Sequence, residues 1–176
     1  MIWIFGFGSL TFDGWQSEFG CLSLQRATLH GYRRAFNKKS VVNWGTEKNP
    51  GVTLNLKRAS GERCEGVAFE FSGDERTSMA LLSYLRKREA CTPTSLRVEL
   101  ADGRAVQALT YIYNGRNLFD RSKSVAELAA LVVKASGTSG SAIDYVKRNF
   151  EGLRAAGLED AAVTELWEAL LADKQG

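Results

Sequence analysis

The chain contains a single histidine, His30, and that scarcity excludes more chemistry than any other feature of its composition. A histidine-rich metal centre needs several ring nitrogens, and a Ser–His or Cys–His pair needs one in the right place. His30 stands ahead of Gly31 in a stretch that reads as strand, where a structural role is expected, so acid–base work falls to a carboxylate. Cysteine is also scarce: Cys21, Cys64 and Cys91 are an odd number and form no C-x-x-C pair. A disulfide framework is therefore not expected, and reduced thiols in the cytoplasm are. No apolar run approaches the ~20 residues that a membrane span requires. No basic segment precedes the short apolar N-terminus, so a secretory signal is not expected. Charge of one sign is lacking too, since 23 basic residues face 20 acidic ones for a net +3. The basic runs Arg33-Arg34, Lys38-Lys39 and Arg86-Lys87-Arg88 are short, and most of their residues read as solvated surface. Trp3, Trp15, Trp44 and Trp167 are too scattered to form a stacking platform, and nucleic acid is not an expected partner.

What is present describes an ordinary globular chain. Its 176 residues are 44% hydrophobic, enough for one domain over 1–176 with a sizeable core. Residues 2–7 read as a buried strand, and 11–20 as a short helix or loop. A strand is expected over 24–36, broken near Gly31, followed by a turn-rich loop at 43–51. Further strands are expected at 52–57 and 64–71, then a helix over 74–90 with acidic residues in its first turn and basic ones in its last. Asp102-Gly103 marks a hairpin between strands at 95–100 and 105–113. Helices are expected at about 123–136, 141–156 and 159–172. Strands first and helices last predict an α+β fold with a mostly antiparallel, closed or partly closed sheet.

Two features of this pattern carry chemistry. On the 74–90 helix, Met79, Leu81, Leu82 and Leu85 form one stripe, and Glu89 continues it while Arg86, Lys87 and Arg88 point elsewhere. A carboxylate at the end of such a stripe is suited to general acid–base work. The alternative is a frayed helix end, with Glu89 solvated or paired with Arg86. The second feature is Gly6-Phe7-Gly8-Ser9-Leu10, where the first strand runs into small residues. Backbone N–H groups freed there can converge on a carboxylate or an oxyanion, and glycine allows a close approach. The alternative is a tight turn or bulge. The spacing is neither G-x-G-x-x-G nor a Walker loop. Cys91 and the alternating Tyr111 and Tyr113 read more simply as an ordinary thiol and core packing.

These features occur together in a recognisable order. The opening WIFGFGSL resembles the W-x-F-G-Y-G-S-L start of the ChaC-type gamma-glutamylcyclotransferases, with Phe7 in the tyrosine's place. The resemblance continues through HGYRRAF (30–36), GTEKNPG (45–51), GVAFEF (66–71), YLRKREA (84–90), ALTYI (108–112) and GTSGSAIDYV (137–146). It implies a compact barrel with helices around it and one pocket. It implies release of 5-oxoproline from a small-molecule gamma-glutamyl substrate, glutathione for the ChaC type, without metal or cofactor. Carried over, Phe7, Gly8, Ser9 and Leu10 hold the gamma-glutamyl group and Glu89 is the catalytic acid–base. The loop is expected to act through its backbone. A binding protein that holds a gamma-glutamyl ligand without turnover is the alternative from another class.

The sequence also departs from the family pattern. After Arg88-Glu89 the family's K-G-G-Y is replaced by Ala90-Cys91-Thr92-Pro93, its H-R-G by Asn43-Trp44-Gly45, and the second of its paired arginines by Ala35. These changes touch the leaving-amine side, so other gamma-glutamyl amines and peptides stand beside glutathione as candidate substrates.

Overall fold

The computed structural model describes residues 1–173; the last three residues of the expected 1–176 domain lie outside that range. Two compact units divide the chain, one made of Met1–Arg33 and Leu56–Tyr113, the other of Arg34–Asn55 and the chain from Asn114 on.

A closed barrel of five strands is built from β1 (Ile2–Gly6), β2 (Ser23–Ser40), β3 (Gly51–Phe71), β4 (Thr94–Leu100) and β5 (Ala105–Thr110), in the order β1-β3-β2-β4-β5. The pairs β1–β3, β2–β4 and β4–β5 are antiparallel, while β1 and β5 run parallel with Ile4 opposite Leu109. The expected α+β barrel is thus present and fully closed.

In the first unit the alternation of β1 puts Trp3, Phe5 and Phe7 into one apolar cluster with Leu29, Leu56, Ala68, Val98, Leu100 and Ala108. The intervening Ile4 is fully buried as well, which explains why β1 carries no polar face. Helix α1 (Glu75–Glu89) begins at Asp74, whose carboxylate accepts from the Thr77 N–H at 2.9 Å. Leu81 and Leu85 of this helix are buried, but Met79 is exposed, so the apolar stripe is narrower than the sequence predicts.

Two strands are longer than expected. β2 passes Gly31 unbroken because that glycine takes φ +77°, a left-handed conformation that costs it little. β3 joins the two stretches predicted separately, crossing the polar residues 58–63 with Gly61 at φ +79°. Nothing apolar alternates there, because those residues are solvent-facing. β5 stops at Thr110, short of the predicted 113.

The second unit holds the helices α2 (Val125–Val132), α3 (Ala142–Ala155) and α4 (Ala161–Asp173). α2 is shorter than predicted and opens with a capping box between Ser124 and Glu127. A small ribbon of β6 (Ser136–Gly137) and β7 (Gly140–Ser141) precedes α3. The 43–51 loop folds against this ribbon, with the Thr138 and Ser139 N–H groups donating to Val42 and Asn43 carbonyls at 2.9 and 2.8 Å. Gly137 fits because a β-carbon there would stand 2.3 Å from the Val42 carbonyl oxygen. Tyr145 closes the arrangement: its ring lies 5.3 Å from that of Trp44, and its hydroxyl accepts from the Leu54 N–H.

Arg34 is buried in this unit and bonds Asp160 at 3.1 Å, while the same carboxylate accepts from the Val163 N–H in the first turn of α4. One side chain therefore caps a helix and neutralises an internal cation. Asp160→Ala is expected to destabilise the protein by about 3 kcal/mol or more in urea unfolding, since it strips a buried guanidinium of its carboxylate. A loss under about 1 kcal/mol would mean that the pair is no stronger than a surface bridge.

Candidate active site

The end of β1 delivers the chain into a helical turn at Ser9–Thr11, and that turn is fixed through its carbonyl oxygens. The Gly8 carbonyl accepts from the N–H and the hydroxyl of Thr11 at 2.9 and 2.7 Å. The Ser9 carbonyl accepts from the Phe12 and Asp13 N–H groups, and the Leu10 carbonyl from the indole N–H of Trp15 at 2.9 Å. With the carbonyls committed in this way, the N–H edge is the side of the turn whose first donors lack intrahelical partners.

Gly6 shows why small residues are needed before the turn: a β-carbon there would come within 3.0 Å of the Leu10 side chain. Of the four predicted loop residues, Phe7 and Leu10 are buried and Phe7 belongs to the barrel cluster. Gly8 and Ser9 are half-buried.

Trp15 anchors the turn from outside the barrel wall. It is 3% exposed and lies 5.4 and 5.6 Å from the rings of Phe69 and Phe71 on β3. On its other side it stacks on Tyr84 of α1, which also meets Phe19 at 4.9 Å. This aromatic group holds the 9–19 segment and α1 to the same stretch of sheet, each ring pair adding about 0.5–1.5 kcal/mol to the area it buries.

Glu89 is the last residue of α1, and its side chain is 24% exposed. It is neither core nor a freely solvated helix end. Its carboxylate lies 3.2 Å from the Arg88 Nε. The reading that Arg88 points elsewhere is corrected here. Its guanidinium also donates to the Ser9 hydroxyl at 2.9 Å, to the Tyr84 hydroxyl at 3.2 Å and to the Asp13 carboxylate. Burial works against the Arg88 charge, but the bonds to Asp13 and Tyr84 and the charges of Asp13 and Glu89 outweigh it and hold the cation above its ordinary pKa.

Ser9 and Glu89, eighty residues apart in the chain, thus meet on one guanidinium. The turn is tied to the end of α1 through the Ser9 side chain. Periodicity gives no signal for this, because Arg88 neighbours Glu89 in sequence and reaches the site only through the length of its side chain.

The helix ends abruptly after Glu89. Ala90 takes φ +53°, ψ +31° and donates its N–H to the Arg86 carbonyl at 3.1 Å, the position usually given to glycine. It is the one non-glycine residue with positive φ among those described. Four residues later β4 begins, with Thr94 opposite Thr110, so the first residue past β5, Tyr111, stands at the same end of the barrel. Tyr111 is buried, and its hydroxyl is pushed up to about 12, first by burial and then by the nearby charges of Glu89 and Cys91.

The other candidates lie apart. His30 is exposed and bonds Glu99 at 3.0 Å, in keeping with a structural role. Among the described residues no three His, Cys, Asp or Glu side chains come together as metal ligands, and no helix is long and apolar enough to cross a membrane. Because Ala90 lacks glycine's freedom, Ala90→Gly is expected to raise stability by about 1 kcal/mol in chemical denaturation. A destabilised variant would show that the α1 terminus relaxes away from this conformation.

Comparison with known proteins gives this geometry a context. The glutathione-specific gamma-glutamylcyclotransferase of Escherichia coli is 34% identical over 170 residues, covering 94% of this chain and 71% of that one. Gamma-glutamylcyclotransferase 2-3 of Arabidopsis thaliana is 30% identical, covering 94% and 86%. In fold, the chain is similar to the crystal structure of a yeast gamma-glutamyl cyclotransferase specific to glutathione, with a TM-score of 0.82 at 19% identity over 97% of this chain and 96% of that one. A model of the ChaC-like protein family matches residues 2–172. With that match over nearly its whole length, the chain belongs to the ChaC-like family.

Proposed function

We propose that the protein releases 5-oxoproline from gamma-glutamyl compounds, with glutathione, which would yield Cys-Gly, as the leading substrate. The observation that carries the reading is the meeting of the Gly8-Ser9 turn and the Glu89 carboxylate on Arg88. Family membership and the names borne by its relatives supply the substrate class.

The reaction suits so spare a site. The α-amine of the substrate attacks its own γ-carbonyl carbon and closes a five-membered lactam, so no protein nucleophile is needed. The enzyme must hold the chain folded, and well-oriented intramolecular attack lowers the barrier by as much as ~7–11 kcal/mol. N–H groups of the Phe7–Leu10 turn hold the α-carboxylate, which fixes the amine over the carbonyl. The ammonium first has to lose a proton, since its lone pair is otherwise engaged. Glu89 accepts it and returns it to the departing nitrogen as the tetrahedral intermediate collapses, which leaves the carboxylate ready for the next cycle.

Ala90-Cys91-Thr92-Pro93 follow Glu89 directly and stand where the family carries K-G-G-Y, so the leaving amine meets surroundings particular to this chain. Three free cysteines, Cys21, Cys64 and Cys91, fit a reducing compartment such as the cytoplasm.

Incubation with glutathione and a panel of gamma-glutamyl amides, followed by detection of 5-oxoproline, tests the proposal. Release from glutathione is expected, and Glu89→Gln should reduce kcat by about 10²–10⁴-fold. Release from none of the compounds would refute the activity, and undiminished release by Glu89→Gln would refute the role of that carboxylate.

A further inference from the structure

Tyr111 carries a hydroxyl that the fold has buried and left without a partner. The residue is 3% exposed, and no hydrogen bond reaches its phenolic oxygen from any described residue. Buried tyrosines ordinarily satisfy that group, and a hydroxyl left alone in a protein interior calls for an explanation. Three other buried side-chain atoms share this condition: the Asn37 and Asn149 amide oxygens and the Thr110 hydroxyl. The two asparagines belong to the second unit. Thr110 is the last residue of β5, and Tyr111 is the first beyond it.

The position of Tyr111 follows from strand register. β1 and β5 lie side by side and parallel, with Ile4 opposite Leu109. Two residues further along each, Gly6 ends β1 and Tyr111 follows the last residue of β5. The 6–10 turn and Tyr111 therefore leave the barrel at the same end from adjacent strands. α1 returns to that end too, since its terminal Glu89 is five residues from Thr94, the partner of Thr110. The Glu89 charge is close enough to oppose ionisation of the phenol, yet no hydrogen bond joins them. Turn, carboxylate and unbonded hydroxyl thus lie at one end of the barrel.

Resting on the cyclotransferase reading above, we infer that the Tyr111 hydroxyl is a catalytic group that donates to the γ-carbonyl oxygen of the substrate and stabilises the oxyanion formed there.

The chemistry separates the two residues by charge. Before attack the negative charge sits on Glu89 and the proton on the substrate amine. Glu89 takes that proton, the amine lone pair forms the new C–N bond, and the carbonyl π pair moves onto oxygen. Negative charge has then passed from the carboxylate to the oxygen, and a donor already fixed beside both positions is the group needed. Tyr111 keeps its own proton throughout, since a phenol held near 12 is neutral at any ordinary assay pH. When the intermediate collapses, the oxygen pair re-forms the C=O bond, the original C–N bond breaks, and the departing nitrogen receives the proton from Glu89. Glu89 then takes the second proton from the ring nitrogen and passes it to the freed amine, which leaves a neutral lactam and an ammonium, so atoms and charge balance without a further reactant. The α-carboxylate is charged from the start and is served by the several N–H groups of the turn. A single neutral donor has its largest effect on an oxygen that acquires charge only during reaction.

Tyr111→Phe tests this, measured alongside wild type and Glu89→Gln for 5-oxoproline release from glutathione and for melting temperature. Removal of one oxyanion donor should reduce kcat by about 10²–10³-fold, with KM within about threefold of wild type. The melting temperature should stay level or rise, because the lost hydroxyl had no partner. A kcat within about fivefold of wild type overturns the inference. So does a fall in kcat that comes with a lower melting temperature or a matching rise in KM, which would make the hydroxyl structural or a ground-state contact. An active wild type, an inactive Glu89→Gln and an active Tyr111→Phe together would sink this assignment alone. A wild type silent on every gamma-glutamyl compound would sink the parent reading, and this one with it.

Discussion

The site depends on one guanidinium. Arg88 is the cation to which the Ser9 hydroxyl, the Tyr84 hydroxyl and the carboxylates of Asp13 and Glu89 all turn. Arginine suits the position because its donors are splayed in a plane and its charge is kept even when partly buried. A lysine would present one point of charge and could not hold a turn, a helix and two carboxylates in fixed directions. Without the cation, Asp13 and Glu89 would lose their common counter-charge, and the β1 turn and the end of α1 would lose their polar link.

That polar link works only because an apolar one brings its parts into range. Trp15 bonds the turn through Leu10 and packs on Phe69, Phe71 and Tyr84, so the turn and α1 share the outer face of β3. Inside, Trp3, Phe5 and Phe7 fill the barrel. The strand that delivers the turn is therefore clamped on both faces. Rigid strands and a capped helix then present mobile-looking glycines as a fixed backbone, which is what an uncatalysed folding of the substrate lacks.

Much of this was legible from residues alone, and for definite reasons. The all-apolar run 2–7 announced a strand buried on two faces, and the glycines after it announced a turn. The stripe through Leu81 and Leu85 led to Glu89, whose half-buried place falls between the core or cleft and the solvated end that the pattern left open. An α+β fold with a closed or partly closed sheet and the three late helices followed from the order of periodic segments, and the compact barrel from the resemblance to the ChaC-type family. What was hidden had no periodicity to reveal it. Arg88 acts through its reach, Trp15 through contacts with rings more than fifty residues away, and Tyr111 through the absence of a bond. Residues 58–63 looked like a break because their side chains face solvent, although the β3 backbone continues beneath them.

If Arg88 unites turn and carboxylate into one working site, the Ser9 hydroxyl has value only while that guanidinium is there to hold it. A double-mutant cycle reads this directly: Ser9→Ala, Arg88→Ala and the pair, compared with wild type by kcat/KM for 5-oxoproline release from glutathione. The account predicts strong non-additivity, with the double variant no worse than Arg88→Ala alone. Losses that simply add would contradict it, because the turn and Glu89 would then be serving the reaction independently.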